Sequence, residues 1–148
     1  MNNLLLFVHL IGAVIWLGGM SFVLLALRPA VLQVLPPLLR AQLLLQVLRR
    51  FFVLVWASIA MLLGSGAWML GRVGMAHAPA AWHAMLGIGL LMTAVFGLIH
   101  FLHYRRACQA AKTAQWQAVG AALQRIHRLV QVNFLLGWLA VALILLWR

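Results

Sequence analysis

Residues 4–27 read LLLFVHLIGAVIWLGGMSFVLLAL, a run without a single charge that stops at Arg28-Pro29. About 20 apolar residues cross the hydrocarbon of a bilayer as an α-helix. Backbone N–H and C=O groups cannot go unpaired in lipid, so a helix is the only sensible conformation for such a run. Three more runs follow: Phe51–Gly71 between Arg49-Arg50 and Arg72, Trp82–Tyr104 before Arg105-Arg106, and Leu129–Trp147 between Arg128 and Arg148. The sequence therefore predicts an all-α integral membrane four-helix bundle, a single domain over residues 1–148 with spans at about 4–27, 51–71, 82–104 and 129–147.

The composition agrees. Of 148 residues, 67% are hydrophobic and only 7% charged, whereas soluble domains are about a quarter charged. So little charge could not cover a water-facing surface, so lipid must cover it instead. The first run lacks a basic segment before it and reads as a retained helix rather than a cleaved leader.

All eleven charged side chains are Lys or Arg. A net charge of +11 raises the question of nucleic acid, but the cations sit between apolar runs rather than on one face, so no nucleic-acid partner is expected. Arg28, Arg40, Arg49 and Arg50 lie in the first connection. Arg105, Arg106, Lys112, Arg125 and Arg128 lie in the third, leaving only Arg72 and Arg148 for the opposite side. The positive-inside rule then places the basic connections in the cytoplasm and both termini on the periplasmic side of a bacterial inner membrane. Anionic headgroups of the cytoplasmic leaflet are the expected partners of those cations.

The basic connections carry structure of their own. Arg40–Arg50 (RAQLLLQVLRR) has the mixture of an interfacial amphipathic helix, preceded by a break at Pro36-Pro37. Ala107–Arg125 suits a helix that lies on the surface or extends a span. The outer connection, Arg72–Ala81, is short and holds Gly74 and Pro79, so the second and third spans should pack as an antiparallel pair.

The absence of Asp and Glu removes carboxylate acid–base catalysis and oxygen-ligated Mg or Ca sites. The lone Cys108 excludes an intrachain disulfide and a zinc cluster. Histidine, methionine and aromatic chemistry remain, and ionisable groups at membrane depth are costly enough to mark function. His9 lies roughly 7–8 Å inside the first span at 1.5 Å per residue, on a face that continues through Gly12, Trp16, Gly19 and Met20. His83 begins the third span at similar depth. Two imidazoles facing each other suit the iron of haem b, with Arg72 as partner for a propionate. The same histidines suit copper. Met69, Met75 and Met85 gather near the same face with His77 and His83, and thioether plus imidazole favours Cu(I). Methionine is also a common apolar filler. His100, His103 and His127 near the inner side form a second candidate ligand set, or face headgroups. Asn133, inside the fourth span, should bond across helices. The tryptophans, Trp147 among them, are read as belt or packing residues.

These residues also carry a resemblance. HLIGAVIWLGGMSFVLLALRPA (9–30), Arg49-Arg50-Phe51, and RIHRLVQVNFLLGWLAVAL (125–143) resemble the corresponding parts of the copper resistance D (CopD)-like membrane proteins. That resemblance implies copper uptake or tolerance, and a ligand role for His9. Copper transport would then need a partner or an oligomer, because the periplasmic copper-binding domain fused in some relatives has no counterpart in these 148 residues. The chain is more distantly similar to haem-binding proteins of the HemJ protoporphyrinogen oxidase type. Their characteristic lysine is missing where AWHAMLGIG (81–89) stands, which counts against that activity.

The leading expectation is a haem b protein with ligands His9 and His83. It would move single electrons between quinone and a periplasmic redox partner, and if it is an enzyme it would be a haem-dependent membrane oxidoreductase. The alternative is copper handling through His9, Met69, Met75, His77 and His83. A further alternative is a cofactor-free assembly partner. A homodimer sharing its glycine faces fits any of the three.

Overall fold

The structure is a computed structural model that describes residues 3–146. Trp147 and Arg148, placed by the sequence at the end of the fourth span, lie outside the described residues. The architecture is four helices, each long and apolar enough to span a membrane: α1 Asn3–Val34, α2 Pro37–Val73, α3 Ala80–Lys112 and α4 Trp116–Leu146. The chain is a multi-pass membrane protein with no strand among the described residues.

The helices are longer than the apolar runs that seed them, and the excess lies at one end. At the end bearing both termini, α2 stops and α3 starts within two residues of the charge-free runs. At the other end α1 continues past Arg28, α2 begins fourteen residues before Phe51, α3 runs on through Arg105-Arg106, and α4 starts thirteen residues before Leu129. A 37-residue helix such as α2 is about 55 Å long, against a hydrocarbon core of about 30 Å. Arg40–Arg50 is therefore the first part of α2 and not a separate interfacial helix. The segment after Arg105 extends α3 and then α4, interrupted only around Thr113–Gln115. Ala114 makes that turn at φ 55°, a left-handed conformation unusual for a residue with a Cβ. At the opposite end, Gly74 closes α2 at φ 85°, and a short 3₁₀ turn, Met75–His77, leads to Pro79 and α3.

Packing is pairwise, α1 against α2 and α3 against α4, with thinner contact between the pairs. The face of α1 expected from the sequence is the one used: Gly12, Trp16 and Met20 are buried. At Gly12 an added Cβ would come within 3.1 Å of the Ser58 carbonyl and of Leu62 Cγ, so the glycine sets how closely α1 approaches α2. Between the pairs, Phe52, Phe96 and Trp16 interlock edge to face, with Phe52 and Phe96 centroids 5.2 Å apart and Trp16 and Phe96 at 6.3 Å. The outward faces stay apolar, with Phe7, Val14, Leu25, Val53 and Leu135 more than half exposed, as lipid contact requires.

Two helices widen by one residue per turn. α1 is π-helical over Val23–Leu27 and α3 over Ile99–Tyr104. The second of these carries His100 and His103. Such bulges re-aim side chains relative to a regular helix.

Candidate functional site

A cavity of about 390 Å³ lies between all four helices in the half of the bundle nearest the termini. Its walls are almost wholly apolar, and its imidazole and thioether donors are His9 on α1, Met69 on α2, and Met85 and Met92 on α3; the Thr93 hydroxyl donates to the Gly89 carbonyl of its own helix. Trp16 and Trp82 add aromatic surface.

Local sequence explains why these residues converge. On α3, Trp82, Met85, Gly89 and Met92 recur at spacings of three and four, which puts them on one face. Met92 is buried, and an added Cβ on Gly137 of α4 would stand 3.3 Å from its Cε. The missing side chain at Gly137 thus leaves room for the thioether. Gly66 faces the histidine, and a Cβ there would sit in ordinary van der Waals contact, 3.7 Å from His9 Cε1.

His9 is half-buried, and its Nδ1 lies 2.9 Å from the Ser65 hydroxyl on α2. Ser65 is itself buried, and its hydroxyl donates to the Met61 carbonyl one turn back. With that proton committed, the Ser65 oxygen accepts from His9 Nδ1–H. The tautomer that satisfies both bonds leaves the lone pair on Nε2. A fixed Nδ1–H with a free Nε2 is how a metal-binding imidazole is held ready. A second polar device stands nearby: Asn133 of α4, 1% exposed, donates from Nδ2 to the Met92 carbonyl at 3.0 Å and ties α4 to α3 beside the cavity wall. This is the interhelical bond expected from the sequence.

The other candidates fall elsewhere. His83 is exposed, does not line the cavity, and its Nδ1 lies 3.3 Å from the Pro79 carbonyl. The expected His9–His83 pair is therefore not brought together. The spacing gave similar depth, but position 83 falls on the outer side of α3, whereas Trp82 and Met85 turn inward. Arg72 is exposed and also stands outside the cavity lining. Met75 and His77 lie on the exposed turn between α2 and α3. Of the copper path read from the sequence, His9 and Met69 reach the cavity, together with Met85 of the methionine cluster.

His100, His103 and His127 likewise do not assemble. Among the described residues, no group of three or more His, Cys, Asp or Glu side chains is placed to hold a metal. His100 sits among aromatic rings, 4.9 Å from Phe101 and 5.6 Å from Phe52 by centroid, and its buried Nδ1 has no hydrogen-bond partner.

Sequence reasoning missed Met92 and Ser65. Met92 is seven residues beyond Met85, two helical turns along one face, a signal that was present. Ser65 carried no comparable mark, since a serine in an apolar helix more often bonds only its own backbone.

A family model described as copper resistance protein D matches residues 45–147. No curated protein matches the chain, and neither does any solved structure.

Proposed function

The chain belongs to the copper resistance protein D family, and from that premise we propose that it binds Cu(I) in the cavity between its four helices, as a step in copper transport or tolerance. The observation that carries this reading is the convergence of one imidazole and three thioethers on a single apolar cavity. Soft neutral sulfur and nitrogen donors select a soft monovalent d¹⁰ cation over harder divalent ions. No carboxylate competes for the site, because the chain has none in its side chains. Cys108, the one potential thiolate, belongs to the far half of α3.

The ligand set is neutral, so bound Cu(I) keeps its positive charge in a low-dielectric place. That makes binding weaker than at a thiolate site and suits an ion in transit more than one in storage. His9 supplies the directional donor, and Ser65 fixes its ring. The methionines supply polarizable donors that can shift along the path. In this proposal the end bearing both termini faces the periplasm of a bacterial inner membrane, and a periplasmic copper protein delivers or receives the ion.

Haem b held by two histidines finds less support, because only one histidine lines the cavity. The deciding experiment is an absorption spectrum of the detergent-purified protein, oxidised and reduced, with copper and haem quantified on the same sample. The expected outcome is a colourless protein that takes up about one Cu(I) per chain and loses that uptake in His9→Ala. A sharp reduced α-band with stoichiometric haem would overturn the copper reading.

A further inference from the structure

The opposite end of the bundle holds a second recess, of about 480 Å³, where the end of α1 and the starts of α2 and α4 meet. Arg28 and Arg40 line it together with Leu32, Leu38, Trp116 and Gln124. We propose that this recess binds the phosphate headgroup of an anionic phospholipid, with the acyl chains lying along the leucines at its rim.

Both guanidiniums are held in place by neutral groups. Arg28 donates from one Nη2 to Gln124 Oε1. Arg40 uses Nη2 for the carbonyls of Leu32 and Leu35, at 3.1 and 3.0 Å, and so closes the end of α1. Each guanidinium has five N–H donors, and these bonds leave the charge of both uncompensated. The Arg40 Nε–H is buried and has no acceptor within the protein, and with Nη2 engaged the Nη1 protons are the donors left for a ligand. No carboxylate side chain exists anywhere in the sequence to neutralise either arginine, so the counter-charge must come from another molecule.

The backbone adds to the same field. α2 begins at Pro37 with no side-chain cap and no acidic residue in its first turn, and its Pro37 and Leu38 line the recess. The first turn of α4 also lacks acidic residues and contributes Trp116 and Gln117. Two helix N-termini therefore meet a space already lined by two guanidiniums, and the positive end of each helix dipole favours an anion there. Two features point to a lipid rather than a free ion. Leu32 and Leu38 are 42% and 44% exposed beside the arginines, apolar surface that acyl chains can cover. Trp116 supplies the amphipathic ring typical of the headgroup level.

The test uses the full chain, delipidated in detergent and titrated with dioleoyl phosphatidylglycerol, with dioleoyl phosphatidylcholine, or with inorganic phosphate. Bound lipid is counted by native mass spectrometry, and thermal stability is followed in parallel. Phosphatidylglycerol should be retained and should stabilise the protein, with phosphatidylcholine several-fold weaker. Arg28→Gln should lower the apparent phosphatidylglycerol affinity about fivefold, the usual worth of one cation beside an anionic lipid. Arg28→Gln with Arg40→Gln should lower it further. Arg106→Gln, an exposed cation at the same end but outside the recess, should leave it unchanged and so separates the recess from general surface charge. Arg28→Gln keeps the Arg40 bonds to α1, so it gives an answer even if the double variant does not fold. Equal retention of phosphatidylcholine, or an unchanged affinity in Arg28→Gln, overturns the proposal. Stabilisation by inorganic phosphate alone to the level of phosphatidylglycerol assigns the recess to a free anion and overturns the lipid assignment.

Discussion

His9 Nδ1 and Ser65 Oγ, 56 residues apart in sequence, lie 2.9 Å apart across the α1–α2 interface. The contact joins a cavity-lining imidazole to a hydroxyl whose own proton is committed to the Met61 carbonyl. Its consequence is chemical: the ring is held with Nε2 free. Ser65→Ala removes the acceptor while leaving almost the same volume. Loss of a group that orients a metal ligand typically costs 10–100-fold in metal affinity. Ser65→Ala should therefore weaken Cu(I) binding by about tenfold, measured by competition with a chromophoric Cu(I) chelator. Thermal stability should move little, since the exchanged hydrogen bond is worth only about 1 kcal/mol. An unchanged affinity would mean that the serine does not orient the ligand.

The four spans were legible in the sequence because charge-free runs of membrane length leave one physical solution. The helix ends at the basic side were not. Arg40–Arg50 has the composition of an interfacial helix, and only contact with the rest of the bundle makes it continuous with Phe51. The candidate site was half legible. His9 and its glycine face follow from spacing along one helix. The pairing of His9 with His83 required the rotation of α3 relative to α1, and rotation is set by packing: Met92 against Gly137 and Asn133 on the Met92 carbonyl fix which side of α3 turns inward.

Close approach of α1 to α2 rests on Gly12, and this can be separated from any general effect of glycine. Gly12→Leu would drive a side chain into the Ser58 carbonyl and Leu62, which α2 cannot yield without moving away. Overpacking of this kind costs about 1–3 kcal/mol, and Cu(I) binding should fall with it because His9 is displaced from Ser65. Gly18→Leu meets nothing within 4 Å and points outward, so it should leave stability unchanged or raise it. Thermal unfolding of the two variants in the same detergent checks the contrast.

Ala114 pays for the α3–α4 turn with a left-handed backbone conformation that costs a residue with a Cβ about 1–2 kcal/mol. Glycine adopts it freely but loses more entropy on folding, so Ala114→Gly should stabilise by about 1 kcal/mol at most. The expected readout is a small rise in the midpoint of thermal unfolding. A fall would show that the turn tolerates alanine without strain.

His100 offers a test of whether the inner histidines take part in metal binding. Its ring packs against Phe52, Trp56, Phe96, Phe101 and Tyr104, and its Nδ1 is buried without a partner. A buried unsatisfied group costs about 1–3 kcal/mol. His100→Phe should remove part of that cost, keep the aromatic packing, and raise stability by about 1 kcal/mol. Copper content should be unchanged. A fall in copper content would return His100 to the ligand set.

The methionines decide between ligation and filling, because leucine has nearly the same volume and no sulfur. Met85→Leu and Met92→Leu replace two cavity-lining thioethers with hydrocarbon, and volume-conserving exchanges of this kind usually cost less than about 1.5 kcal/mol. If the thioethers bind Cu(I), affinity should fall several-fold in each single variant and by more than an order of magnitude in the double variant, with the fold intact. Met75→Leu, on the exposed turn outside the cavity, should change nothing. Divalent copper offered under oxidising conditions should respond less than Cu(I) to either change, since a thioether is a poor donor to the harder ion. Equal Cu(I) affinity in the wild-type protein and the Met85→Leu/Met92→Leu double variant would reduce those two methionines to packing and leave His9 and Met69 as the only imidazole and thioether donors of the cavity, a site of two ligands at most.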